Sequence, residues 1–327
     1  MNNFLKFANG CTCNGSRLFA GLVAGCSISH AALATDLPVV NLGATTFYDG
    51  ASTPGGNGWT AALYYQNHDA NKITDNKGDE IRLPKSKVNI DSVLLQMIYQ
   101  AEGGPMNTDW GLSATLPFVT KADIDDGLNN AAIDGKEGMG DLNAGVFLQF
   151  KPVMGEYGPV FVHRLEAAVI VPVGKYDKHT AVNPGADFWS FNPYWAATFW
   201  ATPKTTISWR LHYLWNAKNN NPSPETYGPD AENMQAGQAV HLNFNAAYAF
   251  TPKLTAGING YWLNQFTDTQ IDGHDASGRK EKVFAIGPGA VYAFSRENLL
   301  FANMYFESDV RNRPEGNRFF LRWMHKL

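Results

Sequence analysis

Residues 206–215 read TISWRLHYLW, and the alternation in that stretch decides between two kinds of protein. Ile207, Trp209, Leu211, Tyr213 and Trp215 are large and apolar, with Ser208, Arg210 and His212 between them. A period of two sends the two sets to opposite faces of a β-strand. In a soluble sandwich the apolar face is core and the polar face meets bulk water. In a membrane barrel the apolar face meets lipid, and arginine and histidine point into a wet lumen.

The same pattern recurs along the chain. Val240, Leu242, Phe244, Ala246 and Tyr248 alternate with His241, Asn243 and Asn245, and Leu165, Ala167 and Val169 alternate with Arg164 and Glu166. Near the end, Phe319, Leu321 and Trp323 alternate with Phe320, Arg322 and Met324. About twelve such segments follow residue 57, the last three near 282–294, 298–308 and 317–327. Short turns such as Thr202-Pro203-Lys204 and Thr251-Pro252-Lys253 alternate with long polar connections at 69–88, 120–140, 173–187, 218–237, 267–281 and 309–316. Short turns on one side and long loops on the other are the asymmetry of an outer-membrane barrel, with periplasmic turns and extracellular loops. Aromatic clusters near segment ends, such as Tyr64-Tyr65, Tyr194-Trp195 and Tyr261-Trp262, fit interfacial belts. The expectation is an all-β, closed antiparallel barrel over 57–327, with both chain ends at the short-turn side.

Composition narrows the classes. A net charge of −4 and a pI near 6.1 lack the basic footprint that nucleic acid requires. Aromatics make up 13% and charged residues 17%, and no stretch past residue 34 is apolar for the ~20 residues of a spanning helix. Lys6 and Arg17, the apolar run 18–28 and Ala32-Leu33-Ala34 form an export signal with an A-x-A cleavage site over 1–34. Val23-Ala24-Gly25-Cys26 also resembles a lipoprotein site, the alternative processing. All three cysteines lie inside this segment, so cleavage after Ala34 leaves a chain without thiols. Residues 35–56 end in Gly and Pro and read as either an inward-folded plug or a periplasmic segment.

The chain resembles a known family at this point, the MetA-pathway phenol-degradation family of exported outer-membrane proteins. The resemblance rests on LPVVNLGATTFYDG (37–50), GKYDKHTAVNPG (174–185), WSFNPYWAATFWATPKTTISWRLHYLWNAKN (189–219), QAGQAVHLNF (235–244), DTQIDGHDASG (268–278), AIGPGA (285–290) and NRPEGNRFFLRW (312–323). It implies a barrel that takes up small hydrophobic, aromatic compounds, without naming the compound. The other class is a structural or adhesive barrel with a plugged lumen. Implied partners are outer-membrane lipid, lipopolysaccharide and the barrel-assembly machinery, whose recognition signal the final strand resembles. That signal usually ends in Phe, and this chain ends in Leu327.

Arg164, Glu166, Arg210, His212, His241, Asn243 and Asn245 are the candidate lumen residues, either a path for substrate or a salt-bridged filling. An enzyme is not expected. Ser208 and His212 share a face but stand ~13 Å apart along a strand, beyond the reach of a nucleophile and its base, and no G-x-S-x-G elbow occurs. Asp123-Ile124-Asp125-Asp126 and Asp272-Gly273-His274-Asp275 lack calcium-loop spacing and read as solvated loop acids. No cofactor or metal is expected. The intact mass of the purified protein should begin at Thr35; a mass that includes Cys26 and lipid would show acylation instead.

Overall fold

The computed structural model describes residues 35–128 and 135–327; the expected export segment, 1–34, lies outside them. Twelve strands form the wall: β1 (Gly58–Ile73), β2 (Lys87–Ala101), β3 (Asp109–Asp125), β4 (Leu142–Gln149), β5 (Gly158–Val171), β6 (Tyr194–Thr202), β7 (Thr205–Asn216), β8 (Ala239–Ala249), β9 (Leu254–Gln265), β10 (Lys282–Ala293), β11 (Asn298–Arg311) and β12 (Pro314–Lys326). Each pairs antiparallel with its chain neighbours. The first and last close the ring, Thr60 opposite Lys326 and Asp69 opposite Asn317. Closure is what lipid demands, because an open edge would leave unpaired N–H and C=O groups in hydrocarbon. Short strands Met234–Gln235, Thr269–Ile271 and His274–Ala276 form a separate small sheet, built from the 217–238 and 266–281 connections.

In TISWRLHYLW the apolar set faces out. Ile207, Leu211, Tyr213 and Trp215 are exposed, while Ser208 and His212 are buried in the lumen. Trp209 packs outside against Trp195, ring centroids 5.3 Å apart, and Phe161, 6.2 Å. The exposed apolar surface continues round the wall through Leu95, Leu112, Val146, Ile258, Ile286 and Leu321. An exterior of this kind belongs in a bilayer. The barrel is of the outer-membrane type.

Connection lengths alternate as the sequence suggests, with one correction. Residues 309–316 are not a long loop: β11 and β12 run on, and only Asn312 and Arg313 separate them. The strands also outlast the expected 58–68 and 109–119, because β1 and β3 continue above the lipid band. There the polarity of the two faces inverts. Ala70, Ile73 and Val88 turn inward and are buried, joined by Ile90 and Ile124. Outside, Lys87 meets Asp123 at 2.5 Å, Lys85 meets Asp125 at 2.6 Å, and Lys121 donates to Asn89 at 3.0 Å. Two of the loop acids considered for a cation are thus lysine partners on the outer wall.

One expectation fails. The C-terminal residue lies at the short-turn end, where Leu327 N donates to Trp59 O, but Thr35 lies at the other. The chain passes through the lumen before β1 begins. Trp209→Arg should lower folded yield in lipid vesicles, since a lipid-facing charge costs about 2–4 kcal/mol at the bilayer midplane. Wild-type yield in a heat-modifiability gel would put this ring inside instead.

Candidate functional site

Residues 35–56 run down the inside of the barrel from the long-connection end to the short-turn end. At the top, Asp36 is gripped by Arg279 (2.5 and 2.9 Å) and by the Tyr227 hydroxyl (3.0 Å), and Leu37 N donates to Glu281 at 2.9 Å. Midway, Gly43 N donates to Asn243 Oδ1 (2.9 Å) and Gly43 O accepts from the Tyr305 hydroxyl (2.7 Å). Lower down, Asp49 Oδ1 pairs with Arg210 at 2.8 Å, Asp49 O accepts from Thr198 at 2.6 Å, and Gly50 O accepts from Gln149 at 2.7 Å. At the bottom Lys326 donates to Gly56 O at 2.9 Å. Two glycines make this passage possible. Gly43 (φ +86°) and Gly50 (φ +79°) adopt left-handed backbone, and a Cβ would sit 2.6 Å from the Tyr305 ring and 2.4 Å from Ala196 O.

All seven candidate lumen residues face inward, on β5, β7 and β8. Cross-strand register sets Arg210 opposite Asn243, His212 opposite His241 and Ser208 opposite Asn245. The two imidazoles stack 4.0 Å apart at 12°, and both lean on Asn192 Oδ1, at 3.1 and 3.2 Å. Asn243 holds Asn41 as well as Gly43. Arg164 and Glu166 share a face but form no ion pair. Arg164 donates to Gln149 Oε1 (3.0 Å) and Ala51 O (3.3 Å), while Glu166 accepts from the hydroxyls of Ser113 (2.5 Å) and Tyr194. Asn245 donates only to the wall, at Ile258 O. Three of the seven, Arg164, Arg210 and Asn243, thus bond to the N-terminal segment, where a path for substrate was one expectation. The partners Asp49, Gln149 and Tyr305 were not singled out in the sequence, because they lie far along the chain from the residues they meet.

The segment divides what space remains. Above it on one side is an apolar cavity of about 170 Å³ against β1–β3, lined by Val39, Val40, Leu42, Val88, Ile90, Leu94, Val119 and Ile124. Val39 stays 68% exposed where it lines this cavity. His68 and Arg318, both on Glu307, form its polar side (3.0 and 2.9 Å). Below is a chamber of about 250 Å³ at the short-turn end, lined by Phe47, Asp49, Arg164, Glu166, Arg210 and Arg322 among others.

Outside the strands, burial shapes the titration of the groups that anchor the segment. Burial first, then the Asp36 carboxylate, pushes the Tyr227 phenol well above its ordinary range. Glu281, which accepts from Arg313, is held above the usual carboxylate range because burial outweighs that arginine. Tyr227 therefore remains a neutral hydrogen-bond donor to Asp36.

The family described as "Putative MetA-pathway of phenol degradation" matches residues 70–323. No curated protein matches the chain in sequence. Among solved structures, an outer membrane channel from Pseudomonas putida F1 superposes with a TM-score of 0.73 at 17% identity, covering 88% of this chain and 99% of that one. A FadL homologue from Pseudomonas aeruginosa scores 0.41 at 12% identity (88% and 99% covered). A deletion mutant of the TodX monoaromatic hydrocarbon channel scores 0.41 at 9% (84% and 91%). The first likeness is one of fold; at 0.41 nothing further follows.

Arg210→Leu should leave the barrel inserted, since no lipid-facing residue changes, but strand Asp49 without its partner. Breaking a buried pair from one side costs about 3–5 kcal/mol. The expected readout is loosening of residues 35–56, seen as raised conductance in planar bilayers, with Asp49→Leu added on top recovering part of the wild-type value. Unchanged conductance would show that the pair does not hold the segment.

Proposed function

The chain belongs to the family described as a putative MetA-pathway of phenol degradation, and from that membership we propose that it is an outer-membrane channel for uptake of small hydrophobic, aromatic compounds. One observation carries the reading: the cavity at the long-connection end keeps a valine and several aliphatic side chains open to a space inside the barrel. Each Å² of apolar surface that a ligand covers there contributes about 25 cal/mol, enough to draw a ring out of water and small enough to let it leave. On this reading the long connections face the cell exterior and the short turns the periplasm, as in single-chain barrels of this size. Residues 1–34 direct export, the outer wall sits in lipid and lipopolysaccharide, and the assembly machinery reads β12.

The N-terminal segment lies between the apolar cavity and the lower chamber, so passage needs it to shift. Its ties are mostly single hydrogen bonds, each worth about 0.5–1.5 kcal/mol net. That same segment favours a second reading, a plugged structural or adhesive barrel. Uptake of labelled toluene and phenol at limiting concentration separates the two. A deletion strain should take up less than one complemented with the wild-type chain, and Val39→Asp should complement poorly while folding normally. Equal uptake in all strains would favour the structural barrel.

A further inference from the structure

We infer that the chamber at the short-turn end is a binding site for a small organic carboxylate, with Arg322 as its specificity-determining residue. Three arginines line it, Arg164, Arg210 and Arg322, against two carboxylates, Asp49 and Glu166. Arg210 is paired with Asp49. Glu166 is answered by two hydroxyls and Arg164 by neutral oxygens of Gln149 and Ala51. Arg322 is different. It is 6% exposed, and among the described residues it forms no ion pair and no side-chain hydrogen bond, with Nε buried and unpartnered. The chamber therefore carries one positive charge in excess, on a side chain enclosed by protein.

The surroundings of Arg322 specify the shape of what would neutralise it. Its guanidinium lies 3.8 Å over the Phe301 ring, with the Tyr64 ring 5.8 Å away. Aromatic faces stabilise the cation from above but accept none of its in-plane N–H donors. Those donors form a flat fork that matches two coplanar oxygens, which is the geometry of a carboxylate. An unpaired charge in an enclosed site is costly, so an anion that enters gains the full benefit of the fork. Phe47, Ile98 and Leu299 supply the apolar wall for a hydrocarbon body. One excess charge suits a monoanion, and a phosphate dianion would overcompensate it. The alternating pattern of β12 already sets Arg322 on the inward face, since Leu321 and Trp323 take the lipid.

The site can be tested without transport, so it stands or falls independently of the uptake reading. The full-length protein, purified in detergent and checked by its heat-modifiable gel shift, is titrated with benzoate and with benzyl alcohol, a neutral molecule of similar size. The wild type should bind benzoate at least tenfold more tightly than benzyl alcohol. Arg322→Gln should lose that preference, and Arg322→Lys should restore part of it. Equal affinity of the wild type for the two ligands would overturn the proposal, as would benzoate binding undiminished in Arg322→Gln. If Arg322→Gln does not fold, the wild-type preference and its loss as chloride is raised decide the matter. Loss of uptake in cells with benzoate preference intact, or the reverse, shows which of the two readings has failed.

Discussion

A sheet in hydrocarbon cannot leave an edge, and the pairing of β1 with β12 is the contact on which everything else here depends. Closing the ring gives every strand an outside and an inside. Once outside means lipid, polar side chains are driven inward by parity alone. Twelve strands enclose a cylinder of roughly 24 Å across the backbone, too wide for inward side chains from the wall to satisfy one another completely. The N-terminal segment supplies what they lack. Asn243, Tyr305, Gln149, Thr198 and Arg210 each find their partner on residues 43–50. Filling the lumen is thus a consequence of closing the wall.

The wall was readable in the sequence wherever lipid imposes the pattern. In β7 and β8 the outward residue must be apolar, so Trp209 or Phe244 betrays the parity of the strand and places Arg210 and Asn243 inside. Above the lipid the rule lapses. Asp309, Arg313, Pro314 and Glu315 look like a loop because the outer face of β11 and β12 there meets water, and polar residues alternate with nothing distinctive. In β2 the two faces exchange character near Ser92: Val88 and Ile90 line a cavity, while Asn89 and Asp91 take the outer face. The site was readable only halfway. Parity shows which side chains enter the lumen, but Asp49 and Arg210 are 161 residues apart, and no local pattern joins them. The string LPVVNLGATTFYDG has no strand or helix period because it is shaped by the wall around it.

The two spaces left in the lumen differ in chemistry, and the difference follows from position. Near the long connections the strands rise past the lipid band and turn aliphatic side chains inward, giving a greasy recess beside Val39. Near the short turns the inner faces of the strands carry the polar set, and arginines gather there. The stacked His212 and His241 and the Asp49–Arg210 pair add polar groups beside the segment, the pair at the edge of the lower chamber.

The direction of that segment constrains how the molecule can be made. Its first described residue lies at one mouth of the ring and the start of β1 at the other. The seam that seals the ring joins strands from opposite ends of the chain. Either the leading peptide is already lying along the nascent wall when the seam zips shut, trapped like a thread in a rolled sheet, or it must be fed through a finished tube. The first order lets Tyr305 and Asn243 form their bonds to the peptide while the wall is still open, and makes the earliest part of the chain a mandrel around which the last part is wound.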